Sequence, residues 1–264
     1  MQGGVLKFSE DCFKVTEMKN IKYALTAGFL AWLAACGGGG DGPLTPEATS
    51  PTYDLRAAYV AMLTTPSTLR FVASGTLDGI GITGLGTTTS GAVTSDTFEG
   101  QPALQRSETI SGTLNGNGQT FPLNVTSTDW TDSDHVPRGI TGEAYAVVLG
   151  TPIIAKAVRA NDSGNLFTAN TFQDSSKNLQ VGTVVASYMV QPDTPSTAIV
   201  KLVRTYRDNQ SVITRIATKT FRIGQTNRLA PLSETLESPA SQTNLTLNYR
   251  GFCQAESSTG CATN

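Results

Sequence analysis

Histidine is nearly missing from this chain of 264 residues: His135 stands alone. A serine–histidine–aspartate triad would have to be built on that one imidazole. Neither a Gly-x-Ser-x-Gly elbow nor a Ser-x-x-Lys pair accompanies it. Cysteine is scarce too, with four in all, and the two in the C-terminal tail are too few for a structural zinc site. No apolar run reaches the about 20 residues that a helix needs to cross a bilayer. Positive charge is not in excess, 19 Lys and Arg standing against 21 Asp and Glu, which speaks against general nucleic-acid binding. Gly79-Ile80-Gly81-Ile82-Thr83-Gly84 spells a dinucleotide fingerprint, but no helical pattern follows it, so it fails its structural context. No cofactor is expected, and the chain reads as non-enzymatic.

What is present begins with an address. Lys19 and Lys22 follow Met18 and precede a short apolar stretch, Ala24 to Ala35, that ends in small residues. This is the order of parts in a secretory signal. Leu33-Ala34-Ala35-Cys36 closes it and resembles the lipobox of bacterial lipoproteins. The resemblance covers residues 18 to about 41. It implies cleavage before Cys36, thioether-linked acylation of Cys36 and a membrane held as partner through that lipid. Gly37 stands where, in that family, Asp retains a protein in the inner membrane, so the resemblance implies the cell envelope and the outer membrane. Acyl chains support this physically, since each buried methylene contributes about 0.8 kcal/mol and two or more chains anchor firmly. Glu10, Asp11 and Glu17 put acid where a signal begins with base, so residues 1–17 read as an upstream extension. Residues 36–52 are rich in Gly, Pro and Thr and read as a flexible tether. An exported chain meets an oxidising compartment, and Cys253 and Cys261 are expected to close a small disulfide loop over 253–264.

Residues 53–252 read as a single mainly β domain. Asp54 can cap one helix over Tyr53 to Leu63, with Leu55, Tyr59 and Leu63 on one face and Pro66 beyond it. After Pro66 the apolar period falls to two. Asn115-Gly116-Asn117-Gly118 predicts a hairpin. Tyr145 to Leu149 and Ile153 to Val158 read as short strands, and residues 181–223 as a three-strand meander. Gly224 to Thr243 reads as a long loop, followed by a last strand over Asn244 to Tyr249. About ten short strands point to an antiparallel sandwich or barrel. A T-x-x-T-F echo between Thr94–Phe98 and Thr168–Phe172 raises an internal duplication of residues 79–130 and 153–206.

Two clusters invite chemistry. Asp129, Asp132, Asp134 and His135 lie within seven residues and offer hard ligands, but their spacing fits no calcium loop and the stretch reads as a solvated turn. Lys201, Arg204, Arg207, Arg215, Lys219 and Arg222 are concentrated on neighbouring strands near Tyr206 and Phe221. They form either an ordinary balanced sheet surface or a basic face for an anionic envelope component. The leading expectation is a binding or structural domain on a lipid anchor. A large cavity between the sheets would mark a carrier of an apolar or amphipathic ligand. Two carboxylates facing each other about 5–10 Å apart would mark a glycan hydrolase.

Overall fold

The computed structural model describes residues 51–142 and 144–250. The signal, Cys36, the tether to residue 50 and the pair Cys253 and Cys261 lie outside the described residues.

The chain opens with one helix, α1 (Leu55–Thr64). Asp54 sits before it in extended conformation and its Oδ1 accepts from the Ala57 N–H at 2.8 Å, the satisfied N-cap that a short polar side chain provides. Thr65 donates its N–H to Ala61, and Pro66 then stops the helical ladder. The face bearing Leu55, Ala58, Tyr59 and Leu63 is buried.

Thirteen strands follow: β1 (Ser67–Leu77), β2 (Ile80–Ser90), β3 (Thr94–Phe98), β4 (Gln101–Gly116), β5 (Gln119–Thr131), β6 (Pro137–Thr141), β7 (Tyr145–Leu149), β8 (Ser163–Phe172), β9 (Gln180–Thr194), β10 (Thr197–Asp208), β11 (Ile213–Ile223), β12 (Leu229–Ser238) and β13 (Thr243–Arg250). They form one antiparallel sheet that closes on itself. Strand β1 pairs with β13 and β2, and β2 continues onto β4, with Ile82 opposite Gly116 and Ser90 opposite Glu108. Strand β3 takes the remaining edge of β4, from Gln101 to Gln105. The barrel thus has twelve staves, with β3 extending the β2 line after a break at residues 91–93. Of the two expected architectures, barrel and sandwich, it is the barrel.

Local chemistry explains several joints. Asn117 (φ +48°) and Gly118 (φ +71°) are the central pair of the β4–β5 turn, both left-handed, as the tight hairpin twist requires. At the closing seam Gly86 has no room for a side chain: a Cβ there would lie 2.4 Å from Phe71 Cζ and 2.9 Å from Gly112 Cα. On the outer face, hydroxyls pair across strands, Ser107 with Thr128 at 2.9 Å, Thr109 with Thr126 at 3.0 Å and Thr235 with Thr246 at 3.1 Å. Outside the barrel wall, Phe98 stacks on Trp130 with centroids 5.2 Å apart and meets Tyr145 at 5.6 Å. This fastens the β3 hairpin across β5 to β7.

Three expectations are corrected. The stretch read as a loop over Gly224 to Thr243 contains β12. A register shift between Thr220 and Phe221 sets Pro231 opposite Phe221 and Ser233 opposite Thr220. The extra residue breaks the alternation that betrays a strand, and a bulge tolerates a proline that cannot donate. Ile153 to Val158 is not a strand but a strap under the helix, joined to it by reciprocal bonds between Tyr53 and Val158 at 2.9 Å. The duplication has no structural counterpart: Thr94–Phe98 is the outlying β3, whereas Thr168–Phe172 lies in stave β8, between β7 and β9.

Substituting Gly86→Val is expected to open the seam, with a loss of about 2–4 kcal/mol on overpacking grounds. A fall in the urea midpoint relative to wild type checks it, while the exposed turn substitution Gly100→Ala serves as a milder control.

Candidate functional site: the barrel interior

Barrel diameter grows with strand number, and about eight strands already leave an interior that side chains only just fill. Twelve staves enclose more. Helix α1 takes part of that space at one end, packing Tyr53, Leu55, Ala58 and Leu63 among Val184, Val200, Phe221 and Ile223. A second apolar cluster of Phe71, Ile82, Leu114, Leu123, Leu245 and Leu247 lies toward the other end, on β1, β2, β4, β5 and β13. A cavity of about 1030 Å³, partly open to solvent, remains. This reaches the upper end of the roughly 300–1,000 Å³ typical of small-molecule sites. Most of its wall is apolar.

The wall also carries charge, which the strand period places there. On β10 the inward positions are even and include Arg204 and Tyr206. On β11 they are odd and include Arg215 and Lys219. The six basic residues singled out in the sequence therefore do not form one face. Arg204, Arg215 and Lys219 line the cavity. Lys201, Arg207 and Arg222 point the other way, with Arg207 donating to the Ser211 carbonyl at 2.9 Å and Arg222 paired with Asp193 at 2.7 Å.

Inside, most charges are matched. Arg204 Nη2 meets Asp129 Oδ1 at 2.7 Å. Burial alone would lower the Arg204 guanidinium, but Asp129 holds it above its ordinary value. Lys219 bonds to Glu108 and has Glu234 Oε2 at 3.9 Å. Burial pulls its ammonium down, and the two carboxylates more than offset that, so it stays charged. Glu108 is pushed up by burial and brought below the usual carboxylate range by Lys219. Glu234 is held above that range by burial and by the charge of Glu108, Lys219 opposing. Tyr249 donates to Glu234 at 3.1 Å, and Ser90 donates to Glu108 at 3.2 Å. Arg215 lies over the Tyr206 ring, 4.0 Å from its centroid. Burial draws its guanidinium down to about 10.

Arg106 differs. It is 8 % exposed and donates from Nη2 to the Thr65 carbonyl at 3.4 Å, just beyond the helix, while its buried Nε has no hydrogen-bond partner. Sequence reading passed over it because it sits alone in a Thr- and Ser-rich strand. Its parity with Glu108, Ile110 and Leu114 was the available signal.

The Asp129–His135 cluster does not converge, because Asp129 lies in β5 whereas Asp132, Asp134 and His135 lie in the turn beyond it. Asp129 faces the cavity. Asp132 accepts from the Asp134 and Val136 N–H groups at 3.0 and 2.9 Å and pairs with Arg138 at 3.5 Å. Among the described residues no group of His, Cys, Asp and Glu is arranged to hold a metal ion. Glu108 and Glu234 share one ammonium, that of Lys219. A scan against family models found no match to this chain, and searches of curated proteins and of solved structures found none either.

Lys219→Met would leave two buried carboxylates side by side. Because Lys219 faces a cavity rather than packed core, the cost at neutral pH is expected between the surface and buried limits, about 2–4 kcal/mol. Without the ammonium both carboxylates titrate higher in the folded state. Their penalty is absent below the carboxylate range and grows as pH rises through it. The difference in melting temperature between wild type and Lys219→Met should widen from pH 4 to pH 7; a constant gap would contradict the pairing.

Proposed function

We propose that this protein is a lipid-anchored envelope binding protein whose barrel carries a small amphipathic molecule. The carrying observation is the cavity: a volume of about 1030 Å³ with a mainly apolar wall and one charged belt. Such a space suits a molecule with an apolar body and a polar end, in the way small-molecule sites combine apolar lining with a few placed polar groups. The outer face supports the same reading. Its paired hydroxyls, with Lys201, Arg207 and Arg222, suit water, whereas a lipid-facing barrel carries an apolar band outside. No helix among the described residues is long and apolar enough to cross a membrane. The proposed anchor is the acyl group on Cys36, supported by the Leu33–Cys36 lipobox and the glycine tether behind it. Placed so, the barrel takes up or delivers its ligand beside a membrane without itself performing a reaction.

Organic extraction of the full chain purified from membranes, followed by mass spectrometry, should return an amphiphile at up to one per barrel. Val125→Trp, which projects an indole into the cavity, should retain the fold and lose at least nine-tenths of that material. Equal recovery from both proteins would remove the carrier reading. Separately, Cys36→Ser should move the protein from the membrane to the soluble fraction.

A further inference from the structure

The interior charges follow a direction. From the helix-capped end inward, β4 presents Arg106, Glu108 and then Ile110; β5 presents Asp129, Ser127 and then Val125 and Leu123; β13 presents Tyr249 and then Leu247 and Leu245. The three neighbouring regions thus offer a polar head space near α1 and an apolar channel leading away from it. Within the head space Arg204 is neutralised by Asp129, and Lys219 by Glu108 and Glu234. Arg106 has no carboxylate within 4 Å among the described residues, and its buried Nε–H lacks an acceptor. A buried guanidinium donor left unmatched costs free energy comparable to a lost charge-assisted hydrogen bond. Arg106 also lines the cavity, so an anion entering it meets an under-satisfied guanidinium and supplies an acceptor.

We infer that the barrel selects a single-chain amphiphile with a monoanionic carboxylate head, bound by Arg106, with its hydrocarbon lying along Ile110, Leu123, Val125, Leu245 and Leu247. This rests on the carrier reading and specifies its ligand. The carboxylate follows from the donor. A guanidinium presents parallel N–H groups that a planar two-oxygen anion accepts as a pair. Arg106, a single cation beside the helix end, calls for one negative charge. A phosphate dianion would need a second cation in the buried head space, where Arg204 and Lys219 are already faced by carboxylates and Arg215 lies over the Tyr206 ring; Arg228 is exposed.

Calorimetric titration of the full chain, stripped of bound lipid, tests this with two probes of equal length, dodecanoate and dodecanol. Wild type should bind dodecanoate at least ten-fold more tightly at pH 7.5. Arg106→Gln, which keeps a donor toward the Thr65 carbonyl, should bring dodecanoate down to the affinity of dodecanol and leave dodecanol unchanged. Equal binding of the two probes by wild type would overturn the carboxylate inference while leaving the carrier reading in place. A preference for the acid that survives Arg106→Gln would overturn the assignment to Arg106. Absence of binding by either probe would sink both readings together. The wild-type comparison needs no variant, so a misfolded Arg106→Gln leaves the head-group inference open to refutation.

Discussion

Closure of the sheet between β2 and β4 is the constraint on which everything else depends. Nine consecutive residue pairs, from Ile82 and Gly116 to Ser90 and Glu108, join the two ends of the sheet. Backbone groups that would otherwise face outward unpaired are satisfied there. The seam demands glycine where Phe71 crosses it, because Gly86 and Gly112 approach more closely than side chains allow. Once twelve staves close, the interior width is set by geometry and not by the residues inside it. The sequence must then furnish that space.

It does so with three kinds of material. Helix α1 and the strap at Ile153 to Val158 fill one end with packed apolar side chains. The cluster around Phe71 and Leu114 fills part of the other. Between them lie charges that few cores would accept, and the pairing of Arg204 with Asp129 and of Lys219 with Glu108 and Glu234 makes them tolerable. Apolar replacements would fill such a belt at lower cost in desolvation. Matched charges around an open volume carry a desolvation cost that disfavours its collapse into an ordinary core. The belt is therefore tied to the cavity rather than to stability.

Much of the fold was legible. Asp54, Pro66 and the spacing of Leu55, Tyr59 and Leu63 marked the helix to within two residues. Asn117-Gly118 marked its hairpin, and the meander over residues 181–223 emerged with its turns close to place. Strand β12 was hidden because Pro231 and the adjacent bulge erase the alternation. The T-x-x-T-F echo misled, since threonine and phenylalanine serve both an outlying strand and an internal stave. The candidate site was half legible. The basic run was visible, but its reading as one surface neglected parity: on β10, Lys201 and Arg207 share one face and Arg204 the other, and on β11, Arg215 and Lys219 oppose Arg222. Which face looked inward could not be read without closure, because Val200 and Leu202 on one side are matched by Ile199 and Val203 on the other. Arg106 carried only its parity with Glu108, Ile110 and Leu114 as a signal, and its meaning arises from what surrounds it in the closed barrel.

The outlying β3 has a consequence for behaviour in a crowd. Among the described strands it alone is paired on one side only, and it is five residues long. Its Asp96 carboxylate is committed to Gln105 at 3.1 Å, and Phe98 is turned away onto Trp130. A neighbouring copy finds no long flat strand to extend, only a short edge with a charge upon it. Edge-to-edge extension of the sheet from one copy to the next is thereby disfavoured at the described strands, however closely the molecules are crowded.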